Sequence, residues 1–191
     1  MEKPRLYLDN EGRLNDRYAF ISYSHKDNDV VYKVLNELSA SGINFWYDDG
    51  LNVGDFWNER VEEILNNPDC VGAFVFLSEN SIISDPVNKE VGIMLGLKES
   101  RDFRIAPLVV GDFATADDLI YDVCSKSREF SKKTRSKEFY INDIAIDDIS
   151  CNAEDCVAQI KEVAALMDIT EKHSVITNAT NIDKLPHVKE D

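Results

Sequence analysis

The chain has 191 residues, 43% of them hydrophobic, with 21 basic and 36 acidic residues and a formal charge of −15. This length and apolar content suit one domain with an appendage and a real core. The charge counts against a nucleic-acid backbone or an anionic membrane as the main partner, but not against a small nucleotide that needs only a local pocket. Cys70, Cys124, Cys151 and Cys156 form no Cys-x-x-Cys pair, and with three histidines they give no metal-ligand spacing. They read as buried or incidental thiols in a reducing cytosol. A polar N-terminus without a secretory signal, and a longest apolar run (Cys70 to Leu77) too short to span a bilayer, give a cytoplasmic expectation.

Residues 1–16 are polar and read as a lead-in, residues 17–169 as the domain. Tyr18 to Ser22 is a short β-forming run. Val31, Val34, Leu35 and Leu38 then make a helical stripe over Asp27 to Ala40, which Gly42 ends. Ile43 to Tyr47 is a second strand and Asp48 to Asp55 a glycine-bearing loop. Trp57, Val61, Ile64 and Leu65 mark a helix closed by Asn67-Pro68. Cys70 to Leu77, apolar throughout, reads as a strand covered on both faces. Ser84-Asp85-Pro86 is a helix start, with a capping side chain before a first-turn proline. Arg104 to Val110 gives a fourth strand, Thr115 with Asp118 a helix cap, and Lys137 to Ile141 a weak fifth strand. Cys156, Ile160, Val163, Ala164 and Met167 form the last amphipathic helix. Residues 170–191 read as a polar tail.

Alternating βα units predict an α/β, flavodoxin-like three-layer fold around a five-stranded parallel sheet. Such folds bind ligands past the carboxyl ends of the strands, where the strand order reverses. In the order 2-1-3-4-5 that point lies between the first and third strands. The segments leaving those strands are Ser22 to Lys26 and Ser78 to Glu90.

Glu90 is the anomaly. On the helix Val87 to Lys98 an apolar arc holds Val87, Val91, Ile93, Met94, Leu95 and Leu97, with Asn88, Gly92 and Glu99 on the other side. Glu90 projects from the apolar arc. A carboxylate there meets an internal cation or faces a cleft.

The motifs that are missing narrow the chemistry. There is no Gly-x-Gly-x-x-Gly, no Walker loop, no Gly-x-Ser-x-Gly elbow, and no aspartate at the end of the third strand, which reads Leu77-Ser78-Glu79. What remains is one carboxylate near a nucleotide-sized cleft, with Ser22, Tyr23, Ser24, Trp46 and Trp57 nearby. Cleavage of an N-glycosidic bond fits this inventory. The nicotinamide of NAD+ is already cationic and leaves as a neutral molecule without a protonated acid. A carboxylate can hold the ribose and stabilise an oxocarbenium-like centre.

Three segments carry a family resemblance. They are Phe20-Ile21-Ser22-Tyr23-Ser24-His25-Lys26-Asp27; Gly42 to Asp49 followed by Gly54-Asp55-Phe56-Trp57; and Phe74-Val75-Phe76-Leu77-Ser78 with Ser81, Ser84 and then Glu90. Together they resemble a Toll/interleukin-1 receptor (TIR) domain of the bacterial stand-alone or fused type. The resemblance implies that Glu90 is the catalytic glutamate of NAD+ cleavage and that Ser22 and Tyr23 line the nucleotide pocket. The full candidate substrate-binding set is Ser22, Tyr23, Ser24, Trp46, Asp48, Trp57 and Ser84. It further implies NAD+ as substrate rather than cofactor and self-association through the loop Asp48 to Phe56; the cysteine and histidine spacing gives no metal site. The products are nicotinamide with ADP-ribose or cyclic ADP-ribose, and the setting is bacterial anti-phage defence, with a separate effector or sensor protein as partner. Two positions depart from the family pattern: Pro86 stands where many members have tryptophan, and Val53 where the loop often has proline. The alternatives are a non-catalytic TIR interaction module or virulence adaptor, and a nucleoside-sugar transferase with similar glutamate chemistry.

Overall fold

Four of the apolar runs pair into one parallel sheet. In the computed structural model, which describes residues 4, 16–48, 56–145 and 157–170, these strands are β1 (Tyr18–Ser22), β2 (Phe45–Tyr47), β3 (Cys70–Leu77) and β4 (Arg104–Val109). Their order is β2-β1-β3-β4, so the chain reverses direction across the sheet between β1 and β3, as the alternating pattern predicts. Phe20 lies opposite Trp46 and Ala73, and Ser22 opposite Val75.

Period-two alternation sorts the side chains onto two faces. Tyr18, Phe20, Trp46, Val75 and Leu77 face α2 (Phe56–Asn66), α4 (Asp85–Ser100) and α5 (Ala116–Lys126), and pack on Val61, Leu65, Val87, Val91, Met94 and Leu119. Ile21, Tyr23, Phe45, Tyr47 and Phe74 face the other way. They pack on Val31, Leu35 and Leu38 of α1 (Asn28–Ala40) and on Ile160 and Ala164 of α8 (Val157–Leu166). β3 is buried on both faces, which is why its sequence is apolar throughout.

The predicted caps form. Ser84 Oγ accepts from Val87 N at 3.5 Å, ahead of Pro86 in the first turn of α4. Thr115 Oγ1 accepts from Asp118 N at 3.1 Å and opens α5. At its far end α4 hands over to Arg101, whose guanidinium donates to Leu65 O at 2.7 Å and Asn67 O at 3.1 Å. A cation is thus placed on the last carbonyls of α2, where the helix dipole favours it, and the spacing of α2 from α4 is fixed.

The expected fifth strand does not form. Residues 137–140 are turn and irregular backbone, and α7 (Ile141–Ala145) follows directly. The reason is Asn88. Its Nδ2 donates to Glu138 O at 2.7 Å, and its Oδ1 accepts from Tyr140 N at 2.9 Å. One side-chain amide takes the backbone groups that a strand neighbour would have used. Asn88 is therefore buried rather than on an open side of α4, while Ile93 and Leu95 are only partly covered. Two short helices were also not legible in the sequence: α3 (Glu79–Ile82) and α6 (Arg128–Lys133).

The last described residue, Thr170, bridges antiparallel to Ile43, and Asn44 N donates to Ile169 O at 2.9 Å. The rest of the tail and all of the lead-in but Pro4 and Asp16 lie outside the described residues. Pro4 O accepts from Tyr47 Oη at 3.0 Å. Among the described residues no helix is long and apolar enough to cross a membrane.

Two glycines make a matched test of this packing. A Cβ on Gly72 would sit 2.7 Å from Arg104 O and 2.8 Å from Met167 Sδ, whereas one on Gly96 meets nothing within 4 Å. Gly72→Ala should cost about 1–3 kcal/mol, seen as a lower Tm. Gly96→Ala, in an exposed helix interior, should gain roughly 0.5–1 kcal/mol. Equal melting of the two variants would contradict the close approach of β3, β4 and Met167.

Candidate functional site

Glu90 is where the helix and the sheet edge converge. Val87, Val91 and Met94 bury α4 on the sheet, and Glu90, one turn from each end of that row, comes to the carboxyl end of β1. There Ser22 Oγ donates to Glu90 Oε2. Glu90 is 6% exposed and Ser22 is 1% exposed. Of the two outcomes open from the sequence, the internal cation is not the one realised: among the described residues no cation lies within ion-pair distance of Glu90.

Burial without a cation pushes the Glu90 carboxyl up from 4.5 to about 8. The Ser22 hydrogen bond works against this by favouring the carboxylate, and the charge of Asp48 adds to it. Two residues that follow β1 help to place Asp48. Tyr23 Oη donates to its carbonyl at 2.7 Å, and His25 Nε2 lies 3.5 Å from its Oδ2.

Glu90 also lines a cavity of about 350 Å³ between α2 and α4. Val61 and Glu62 come from α2, Lys89, Gly92 and Ile93 from α4, and Tyr140 closes one side. The Tyr140 ring lies over Gly92, where a Cβ would approach it to 2.8 Å. Gly92 therefore lets the segment clamped by Asn88 settle against the helix and form the cavity wall.

The loops leaving β1 and β3 are tied together beside this point. Asp27 accepts from Ser78 Oγ at 2.5 Å and from Asn80 Nδ2 at 2.7 Å. Ser78 in turn caps α3 reciprocally with Ser81. The crevice expected at the strand-order reversal is thus fastened across by a carboxylate and two polar side chains.

The candidate substrate residues separate into groups. Ser22 and Glu90 touch. Trp46 lies on the same side of the sheet, its ring stacked on Phe20 with centroids 5.2 Å apart, and it is buried. Tyr23 lies on the opposite side, its ring against Tyr32 and His25, and its hydroxyl donates to the Asp48 carbonyl. Ser24 Oγ accepts from Lys26 N at 3.4 Å and caps a 3-10 turn, His25–Asp27. Ser84 caps α4. The Trp57 side chain and residues 49–55 of the predicted association loop lie outside the described residues. Sequence reasoning did not single out Asn88, His25, Lys89 or Tyr140 as site residues. Asn88 carried a usable signal, a polar residue one turn from the apolar row of α4, two positions from Glu90.

Among the described residues no group of three or more His, Cys, Asp or Glu could hold a metal ion. Cys70 is buried and its thiol is pushed up to about 12, so it is chemically quiet.

The TIR domain family model matches residues 19–137. The chain belongs to the TIR domain family. Among solved structures it is similar to the TIR domains in the structure of the activated Roq1 resistosome directly recognizing the pathogen effector XopQ. The identity is 16% and the TM-score 0.58, with 78% of this chain and 99% of that one covered. No curated protein matches it in sequence. The solved structure supports the fold of this TIR domain, and the matched span contains β1 from Ala19 onward, β2 to β4, Ser22, Glu90 and most of the cavity wall.

The raised carboxyl makes a stability prediction with a definite sign. Between pH 4.5 and 8 the folded chain holds the Glu90 proton that the unfolded chain has lost, so stability falls as pH rises through this window and levels off above it. Glu90→Gln removes that dependence while keeping a carbonyl for Ser22. The variant should melt near wild type at pH 4.5 and several degrees above it at pH 8.5, a gap of about 2 kcal/mol or more. Parallel melting curves across this range would mean that Glu90 is solvated.

Proposed function

We propose that this TIR domain is an NAD+ glycohydrolase or ADP-ribosyl cyclase with Glu90 as the catalytic residue. The observation that carries the reading is a buried carboxyl group with no cation beside it among the described residues, held by Ser22 at the strand-order reversal and lining a ligand-sized cavity. A structural glutamate would be expected to have a cation or several donors as partners. Glu90 has one such donor among the described residues and is held protonated, and the cationic nicotinamide riboside end of NAD+ would supply the counter-charge that lets it ionise.

In this reading the bond from ribose C1′ to the nicotinamide nitrogen breaks, and its electron pair stays on the nitrogen, neutralising the ring. Positive charge develops on C1′ and the ring oxygen. Ionised Glu90 stabilises that charge in a site of low dielectric, and the Ser22 hydroxyl fixes the carboxylate in place. Water then adds to C1′ and loses a proton to solvent to give ADP-ribose, or an adenine nitrogen adds through its lone pair to give a cyclic product. Glu90 is neutral in the free protein near pH 7 and ionises as the cation approaches. NAD+ is consumed as substrate, without a resident cofactor or metal. Lys89 and Tyr140 border the cavity that would take the substrate, and Asp48, Trp46 and Trp57 remain candidates for its outer wall.

The family resemblance supports the finer parts of this proposal. They are an enzyme of the bacterial type in anti-phage defence, assembled through the loop 48–56; the cytoplasmic setting, a separate sensor or effector, the bounds 17–169 and a dispensable tail rest on the sequence pattern alone.

Purified protein incubated with NAD+ should release nicotinamide, with ADP-ribose or its cyclic form identified by mass. Glu90→Gln should lower turnover by about 10²–10³ or more. Because the carboxylate is the active form, kcat/KM should rise with pH through about 8 and then level off. Asp48→Asn removes the charge that opposes ionisation of Glu90 and should move that rise to lower pH. Undiminished turnover in Glu90→Gln would remove the assignment. No turnover in any assembled form of the wild type would favour the interaction-module reading.

A further inference from the structure

One aromatic ring is placed on α4 at a local cost. Tyr140 lies against Gly92, where a Cβ would come within 2.8 Å of its Cδ2, 2.9 Å of its Cε2 and 3.2 Å of its Cγ. The ring therefore occupies the space that any other residue at position 92 would need. A glycine inside a helix is less stable than an alanine, and this one admits the ring. Four residues earlier, on the same face of α4, Asn88 holds Glu138 O and Tyr140 N. Asn88 is buried, and an amide satisfied at both ends is a rigid clamp. The Tyr140 hydroxyl has no hydrogen-bond partner among the described residues. The clamp and the glycine place the ring, and its own polar end does not.

The ring borders the Glu90 cavity and is the one aromatic side chain among the described lining residues. Glu62 and Lys89 are exposed, whereas the more covered wall carries Val61, Glu90, Ile93 and the ring. An aromatic ring and a carboxyl group on one apolar wall favour a flat cation over a neutral ring of the same size. A cavity of about 350 Å³ is small for a ligand pocket, enough for one ring with its ribose rather than a whole dinucleotide.

We propose that the Tyr140 ring binds the nicotinamide cation of the substrate, that Asn88 is its positioning residue, and that the pair selects the oxidised, cationic ring over a neutral dihydronicotinamide. This rests on the reading of Glu90 as the group that acts at the adjoining ribose, and it adds a second group that responds to the same charge. The attraction acts in the bound substrate and fades as the ring becomes neutral on cleavage. It thus favours capture of NAD+ and release of nicotinamide.

The test reads binding and turnover separately, on the full chain. A carba-analogue of NAD+, which cannot be cleaved, and NADH are each titrated by calorimetry against wild type, Tyr140→Leu, Tyr140→Phe and Asn88→Ala. Melting curves check that each variant is folded. Wild type should prefer the cationic analogue. Tyr140→Leu and Asn88→Ala should each narrow that preference about fivefold or more, and the double variant little further. Tyr140→Phe should keep it. In turnover the loss should fall on KM more than on kcat, as for an interaction made in the bound substrate. In wild type, nuclear Overhauser contacts should join the nicotinamide protons of the bound analogue to the Tyr140 ring, a result that needs no variant to fold. An unchanged preference in folded Tyr140→Leu overturns the proposal, and so do ring contacts to adenine in place of nicotinamide. Either result, with wild type active and Glu90→Gln inactive, leaves the catalytic assignment standing. If wild type binds the analogue but does not cleave NAD+, the enzyme reading fails, and the preference and the contacts still decide the role of Tyr140. If wild type binds neither ligand, both fail.

Discussion

A carboxyl group taken out of water without a cation is the constraint on which this domain turns. Desolvating a carboxylate is costly enough that a protein normally pairs it, solvates it or keeps it protonated. Glu90 takes the last course, with the Ser22 hydroxyl as its hydrogen-bond partner among the described residues. The arrangement holds only because α4 is gripped on every side. Its N-terminus is fixed by Ser84 and Pro86, its inner row by the apolar face of the sheet, its flank by Asn88, and its exit by Arg101 on the end of α2. If any of these yielded, Glu90 could swing into solvent and return to an ordinary carboxyl.

The same grips shape the cavity. Asn88 draws the backbone at 138–140 onto α4, Gly92 lets Tyr140 lie flat there, and Arg101 sets the gap from α2. The 137–141 segment gives up strand pairing in order to wall a cavity. Across the sheet edge, Asp27 joins the loops after β1 and β3. The site is thus bounded by polar contacts at the edges and apolar packing beneath, the arrangement that keeps a reactive group rigid.

Much of this was legible in the sequence because it rests on periodicity. The even positions of β1 carry Tyr18, Phe20 and Ser22 to one face, and the row Val87, Val91, Met94 carries Glu90 to the same place. The same alternation sends Tyr23 to the opposite face, so the sequence itself separates Tyr23 from Glu90 although a shared motif groups them. Lys137 to Ile141 misled because β-forming side chains say nothing about who takes the backbone hydrogen bonds, and Asn88 takes them from fifty residues away. The contact of His25 with Asp48 joins two loops and has no local pattern at all. Long-range polar pairings leave no periodic trace, and they decided the loss of the fifth strand and the placing of Asp48.

The central claim is that Glu90 is an uncompensated buried carboxyl awaiting a cation. A carbon-13 NMR titration of the Glu90 side-chain carboxyl reads this directly, once on the free protein and once with a carba-analogue of NAD+ whose glycosidic bond cannot break. The account predicts a midpoint near 8 in the free protein, moved to lower pH when the nicotinamide cation is bound. A midpoint near 4.5 in the free protein, or one that the bound analogue leaves in place, would contradict it.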